Sequence, residues 1–163
     1  MTSISKKIIL LGNFGVGKTS LVQQFVHQRF SEKYLTTLGV KIDKKVVSTT
    51  SAEVSMIIWD IAGEISMQQK NHNYYLGAHG VIYVVDLSRP STYEQILIDL
   101  AIIREQLPMS KIVVVGNKAD LLSDTQLQQL NTFENLHCDF LTSARTGQNV
   151  EAMFEKMAFM LIG

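Results

Sequence analysis

The chain has little cysteine and proline, with one and two residues, and no apolar run approaches the roughly 20 residues of a membrane-spanning helix. The lone Cys138 rules out an intramolecular disulfide and fits a reducing compartment. So little proline, with apolar residues at 46%, argues against disorder. Neither sign of charge is in excess, at 15 Lys+Arg against 15 Asp+Glu, so neither nucleic acid nor an anionic membrane is indicated as a general partner. The opening "MTSISKK" leads into only a short apolar run and is not a secretory signal. The final "MAFMLIG" carries neither a prenylation cysteine nor a basic tail. As a natural end it would exclude a prenyl anchor; a trimmed chain leaves that open. What remains is a chain of 163 residues, expected to be one domain spanning 1–163, monomeric and cytoplasmic, reaching membranes only through a partner or a missing tail.

Short β-branched runs alternate with longer amphipathic ones, the pattern of a parallel α/β sheet. "KIILLG" (7–12) reads as a buried strand, followed by a Gly-rich turn and a helix from about Lys18 to His27. "VKIDKKVVS" and "EVSMIIWD" read as two strands of a hairpin joined through "TTSA". "GVIYVVDLS" and "KIVVVGNKAD" are apolar until their carboxyl ends, as central parallel strands are, with function at that edge. Between Pro90 and Pro108 the spacing predicts a helix, with Ser91 and Glu94 as a capping box and Tyr93, Ile96, Leu97, Leu100 and Ile103 as its apolar stripe. A last helix from about Asn149 is expected to bury Val150, Met153, Phe154, Met157 and Leu161, the methionines serving as core filling.

"GNFGVGKTS" begins at Gly12, directly after the first strand, and fits G-x-x-x-x-G-K-[ST] with Gly12, Gly17, Lys18 and Thr19. Glycine lets the backbone turn its N–H groups toward phosphates at a helix N-terminus that already favours anions. Lys18 offers a point charge to the β and γ phosphates, and Thr19 a hydroxyl to Mg²⁺. An ordinary strand–helix turn is the rival reading; the strand before and the helix after weigh against it. The base is addressed by "NKAD", in which Asn117, Lys118 and Asp120 follow the strand "KIVVVG". A carboxylate there can accept from the N1–H and N2–H₂ edge of guanine, which adenine does not present.

With the phosphate loop, "WDIAGE" (59–64) and "NKAD" in order, the chain resembles the Ras superfamily of small GTPases, and its Rab-like branch most. "YYLGAHGVIYVVDLS" (74–88) and "TSARTG" (142–147) extend the resemblance over essentially the whole chain. It implies a P-loop NTPase three-layer α/β sandwich: a six-stranded mixed, mostly parallel sheet flanked by about five helices, with 40–48 as an antiparallel edge strand. Lys41, Lys44 and Lys45 on that strand read as a lipid patch or, better, as a charged edge that discourages sheet-to-sheet association. The cofactors implied are GTP/GDP and Mg²⁺. Asn13, Phe14, Gly15, Val16, Gly17, Lys18, Thr19 and Ser20 would wrap the phosphates. "FSEKYLTTLGV" (30–40) would be switch I, with Phe30 against the guanine, Tyr34 over the phosphates and Thr37, or Thr36 in a shifted register, on Mg²⁺ and the γ-phosphate. Asp60 would hold Mg²⁺ through water and the Gly63 N–H would reach the γ-phosphate. Ser143 and Ala144 would complete the base pocket, with Arg145 where the family usually has Lys.

Residues from Ile65 to about Asn73 would continue switch II as a surface for effectors and regulators. Met67 and Ile42 stand where Rab-like proteins present aromatics, whereas Trp59 and Tyr75 keep the pattern. The four histidines show no ligand spacing. Two departures touch the chemistry. Glu64 replaces the Gln that orients the attacking water, and Phe14 replaces a small residue beside the γ-phosphate, on the path of an arginine finger. With Lys18, Thr37, Gly63 and Glu64 as the residues nearest the reaction, the expectation is a switch that hydrolyses GTP slowly or with a partner. The alternative is a hydrolysis-impaired, GTP-locked scaffold. A P-loop kinase or ATPase is disfavoured by "NKAD" and by the lack of a lid segment.

Overall fold

The computed structural model describes residues 1–33, 35, 37–63, 72–130 and 136–163. Its strands are β1 (Thr2–Leu11), β2 (Val40–Ser48), β3 (Ala52–Ile61), β4 (Gly80–Asp86), β5 (Lys111–Asn117) and β6 (Phe140–Leu141). The helices among the described residues are α1 (Lys18–His27), α2 (His72–Tyr75), α3 (Ile96–Gln106), α4 (Asp124–Leu130) and α5 (Val150–Ile162). The strands form one sheet in the order β2-β3-β1-β4-β5-β6, parallel throughout except for β2, which runs antiparallel to β3 on the edge. This is the six-stranded mixed sheet the family resemblance implies.

Alternation along β1 explains why both faces are covered. Ile8 and Leu10 enter one buried cluster with α1 and α5, while Ile9 and Leu11 enter a second with α3 and Tyr75. On the first face Phe25 and Phe154 stack at 4.0 Å, 6° from parallel, tying α1 to α5. Met153 and Met157 are fully buried there, and the Met157 sulfur fills the space above Gly80, where a Cβ would come within 2.5 Å of it. The C-terminal methionines are core filling, as read; Leu161 is only partly buried.

Several local expectations shift. β1 starts at Thr2, because the polar "TSISK" still pairs with β3 from Thr2 opposite Ala52 onward; a continuous apolar run marks only the part of a strand buried on both faces. The capping box at Ser91 does not form. Thr92 instead accepts from the Asp86 N–H at 2.9 Å, residues Pro90–Thr92 make a 3₁₀ turn, and α3 begins only at Ile96. Its phase is fixed by Ile96, Leu100 and Ile103, which leaves Leu97, about 100° away, 58% exposed. Lys45 does not stand free on the edge: its Nζ donates to the Phe25 carbonyl at 2.5 Å and lies 3.6 Å from Glu151.

Cys138 packs against Leu87 and Gly116, and burial, with the charge of Asp139, pushes its thiol up to about 12. At pH 8 the folded protein then holds on the order of a thousandfold less thiolate than an unperturbed cysteine. Alkylation by iodoacetamide at that pH is expected to be about 10²- to 10³-fold slower in buffer than in denaturing urea. Equal rates would show a thiol open to solvent.

Candidate functional site

β1 is the point at which the chain changes sides of the sheet: the path through α1 leads to β2 and β3 on one side, and β4 follows on the other. A crevice opens at the carboxyl ends of strands at such a point. Residues 12–17 fill it, turning from β1 into α1. Gly17 sits at φ 101°, and a Cβ on it would come within 2.2 Å of the Asn117 side-chain nitrogen, so only glycine serves there.

The cleft so formed has a volume of about 260 Å³ and is lined from three sides: by Lys18 and Thr19, by Thr37, Asp60 and Gly63, and by Asn117, Lys118, Asp120 and Ala144. Phe14, Gly15, Ser20, Phe30 and Arg145 also line it. Of the remaining sequence-derived site residues, Asn13 contributes its carbonyl to Lys18. Val16 and Ser143 are fully buried and do not open on the cleft. Val16 accepts through its carbonyl from Asn117 Nδ2 at 3.0 Å, and Ser143 Oγ donates to Asp120 Oδ1 at 2.8 Å. Tyr34, Thr36 and Glu64 lie outside the described residues, as do Met67 and the rest of 64–71.

Lys18 is 6% exposed, and its Nζ donates to the carbonyls of Gly12 at 2.8 Å and Asn13 at 3.1 Å. Burial pulls this ammonium down to about 8, against the opposing pull of the Asp60 carboxylate. Asp60 is itself buried, which raises it above the usual carboxylate range although Thr19, Lys18 and Thr37 act to lower it. Thr19 Oγ1 donates to Asp60 Oδ2 at 2.6 Å, Thr37 Oγ1 to the same oxygen at 3.2 Å, and the two hydroxyls touch. The second carboxylate oxygen, Oδ1, is buried with no hydrogen-bond partner among the described residues. Two hydroxyls converging on a buried carboxylate with an orphaned oxygen are a donor set that fits a small hard cation such as Mg²⁺.

At the opposite end, Asn117 Oδ1 accepts from Thr142 Oγ1 at 3.1 Å and from the Ala144 N–H at 3.2 Å, while its amide holds the phosphate loop. Asn117 thus ties three loops together. Sequence reading missed four contributors. Thr142 supports Asn117. Gln24 on α1 donates to the Ala144 carbonyl at 2.8 Å. Asp86 receives Lys118 Nζ and Arg89 Nε, each at 2.9 Å. Arg89 Nη2 in turn donates to the Phe14 carbonyl at 2.8 Å. Burial alone would raise the Asp86 carboxyl, but bonds from Ser88, Lys118 and Arg89 hold it below the usual range. The only sequence signal for this ionic knot was a strand ending in an aspartate.

The aromatic pattern on the neighbouring surface needs one correction. Tyr75 is 2% exposed and packs in the core, so it cannot present itself to a partner. Tyr74 is the half-buried residue that tilts against Trp59, with ring centroids 6.5 Å apart. Lys7 Nζ lies 3.7 Å from the Trp59 ring centroid, and the edge-strand residue Ile42, opposite Trp59 in register, is exposed.

The family model of the Ras family matches residues 7–162. Ras-related protein Rab-4A of Danio rerio is 34% identical over 159 aligned positions, covering 93% of this chain and 74% of that protein. Ras-related protein Rab-32C of Dictyostelium discoideum is 31% identical, covering 98% of this chain and 75% of its own. Ras-related protein Rab-26 of Drosophila melanogaster is 34% identical over 98% of this chain, though over only 43% of its own longer sequence.

Proposed function

The chain belongs to the Ras family of small GTPases, on its Rab-like side, and we propose that residues 1–163 form one G domain whose GTP hydrolysis is slow or relies on a partner. The protein binds guanine nucleotide as its relatives do. The observation that carries the finer reading is the convergence of Thr19, Thr37 and Asp60 beside Lys18, with one Asp60 oxygen left unpaired. Thr19, Thr37 and, through water, Asp60 would hold Mg²⁺, which supplies charge neutralisation at the β and γ oxygens. Lys18 exchanges its two carbonyl partners for phosphate oxygens, and the Gly63 N–H meets the γ-phosphate. Switch I, tied through Thr37, and switch II, tied through Gly63, are held while the third phosphate is present and released when it leaves.

Glu64 and Phe14 support slow turnover. A carboxylate brought to about 4 Å from a phosphate charge costs about 1 kcal/mol in water and about 4 kcal/mol at an effective dielectric of 20. Glu64 therefore enters the reacting shell only against repulsion, as a base or protonated. Phe14, 46% exposed on the cleft, supports the same reading by narrowing the approach of an arginine finger. These two residues also favour the second reading, a GTP-locked scaffold. Effectors and regulators would engage the two switches and the surface of Ile42, Trp59 and Tyr74. Among the described residues no helix is long and apolar enough to cross a membrane; we assign the protein to the cytoplasm, with peripheral membrane association through a partner or further chain.

A single-turnover assay on protein loaded with GTP and Mg²⁺ tests this. We expect conversion to GDP over hours, accelerated about 10- to 100-fold in Glu64→Gln, a small part of the 10³- to 10⁵-fold an arginine finger supplies. Rapid hydrolysis by the unaltered protein, lost in Glu64→Ala, would make Glu64 catalytic and sink the proposal. GTP persisting in both proteins would favour the scaffold. Co-purification with adenine nucleotide would overturn the base assignment.

A further inference from the structure

Outside the residues assigned above, the most constrained polar group is the knot at the carboxyl end of β4. Asp86 is 1% exposed and fully engaged: Oδ1 accepts from the Ser88 N–H and Oγ, and Oδ2 from Arg89 Nε and Lys118 Nζ. Arg89 stands before Pro90 and is held in the extended region, φ −128° and ψ 94°. One edge of its guanidinium is spent on Asp86, and another nitrogen reaches across 75 residues of sequence to the Phe14 carbonyl. A guanidinium held at two points by a buried carboxylate and a carbonyl is a rigid spacer.

What it spaces is the wall of the cleft formed by Phe14 and Gly63. Gly63 lies flat on the Asn13–Phe14 peptide: a Cβ built on it would come within 2.4 Å of the Phe14 nitrogen, 2.6 Å of its Cα and 2.7 Å of the Asn13 carbonyl carbon. The chain of contact runs from Asp86 through Arg89 and the Phe14 backbone to Gly63. Lys118 binds the same Asp86 oxygen directly, so the guanine end of the cleft keeps its own contact with that carboxylate when Arg89 is removed. We propose that Arg89 is a positioning residue for the γ-phosphate: it fixes the Phe14 backbone on which Gly63 rests, so that its effect is felt when GTP, and not GDP, is bound. The inference rests on the nucleotide site proposed above.

Dissociation of fluorescent GDP and of a fluorescent non-hydrolysable GTP analogue, both with Mg²⁺, tests it in Arg89→Ala and Arg89→Lys. A hydrogen bond of this kind, half open to water, is worth about three- to tenfold in an equilibrium constant. The GTP analogue is therefore expected to leave about three- to tenfold faster from Arg89→Ala, with GDP changed less than about twofold. Arg89→Lys is expected to follow Ala, because a single ammonium does not reproduce the two-point fork. Arg89 is 44% exposed, and the melting temperature of the GDP form checks that the fold is kept. Equal loss of both nucleotides, with or without a lower melting temperature, makes Arg89 general support and overturns the proposal, as does no change in either. If the unaltered protein retains neither nucleotide, the reading of the cleft falls and this inference falls with it.

Discussion

Replacing Lys18 by Met is expected to strengthen the nucleotide-free protein and to abolish its affinity for nucleotide. The ammonium is almost wholly buried, and its partners are two neutral carbonyls. Burial pulls it down to about 8 from an ordinary 10.5, which corresponds to roughly 3 kcal/mol of penalty on the charged form. The unfolded chain binds the proton more tightly than the folded one. The penalty is therefore fully present below about pH 8 and relieved as pH rises toward 10.5. Met keeps the length and volume and removes the charge, so the melting temperature at pH 7 should rise by about 2–6 °C once the two lost hydrogen bonds are subtracted. The gain should shrink steadily above pH 8. Nucleotide affinity moves the other way. A unit charge about 3 Å from a phosphate oxygen is worth about 5 kcal/mol at an effective dielectric of 20. A fall of at least about 10³-fold in affinity is expected from that loss. Thermal unfolding of stripped protein at pH 7 and 9.5, with titration calorimetry on GDP, reads both. A variant that melts lower at pH 7 and still binds nucleotide would show that Lys18 serves the loop and not the ligand.

Removing the Asp120 carboxylate should erase the preference for guanine without touching the phosphate end. Asp120 lies in the 3₁₀ turn Ala119–Leu121, its Oδ1 occupied by the buried hydroxyl of Ser143. The adjoining Ala119 N–H donates to the Thr142 carbonyl at 3.0 Å. The carboxylate is thus held by its neighbours on the cleft, where the proposed guanine would present its donor edge. Sites built to hydrogen-bond a particular group reject analogues lacking it by about 10⁴-fold or more when buried. For the exposed Asp120 we expect Asp120→Ala to weaken GTP binding about 10²- to 10³-fold and to reduce the GTP-over-ATP preference below about tenfold. Ser143→Ala, which only frees the carboxylate to turn, should cost about three- to tenfold. Competition binding with GTP, ATP and ITP separates the two ideas, since ITP lacks the 2-amino group. A retained preference in Asp120→Ala would move base recognition elsewhere in the cleft.

Much of this site was legible because its parts are local. G-x-x-x-x-G-K-T fixes a strand end, a turn and a helix start within nine residues, and α1 indeed spans Lys18–His27. The hairpin was legible in "TTSA" between two extended runs, and β2 and β3 flank it as read. Phase was harder. Tyr74 and Tyr75 differ by one helical step, about 100°, and nothing in the letters says which turns to Trp59 and which enters the core. At Ser91 the letters suggested a cap, but Thr92 was already committed to Asp86. A cap depends on where the tertiary structure lets the helix begin, and here that is only at Ile96.

The sequence by itself determined the class of ligand and the order of the strands' chemistry, because backbone conformation at glycines and the donor pattern of a base are properties of short segments. Tertiary structure decided how those segments are braced. Asn117 meets Val16 across 101 residues, Gln24 meets Ala144 across 120, and Arg89 meets Phe14 across 75. Such bonds form only where sheet order brings distant loops to one edge, and they cost the side chain its freedom without leaving a local pattern.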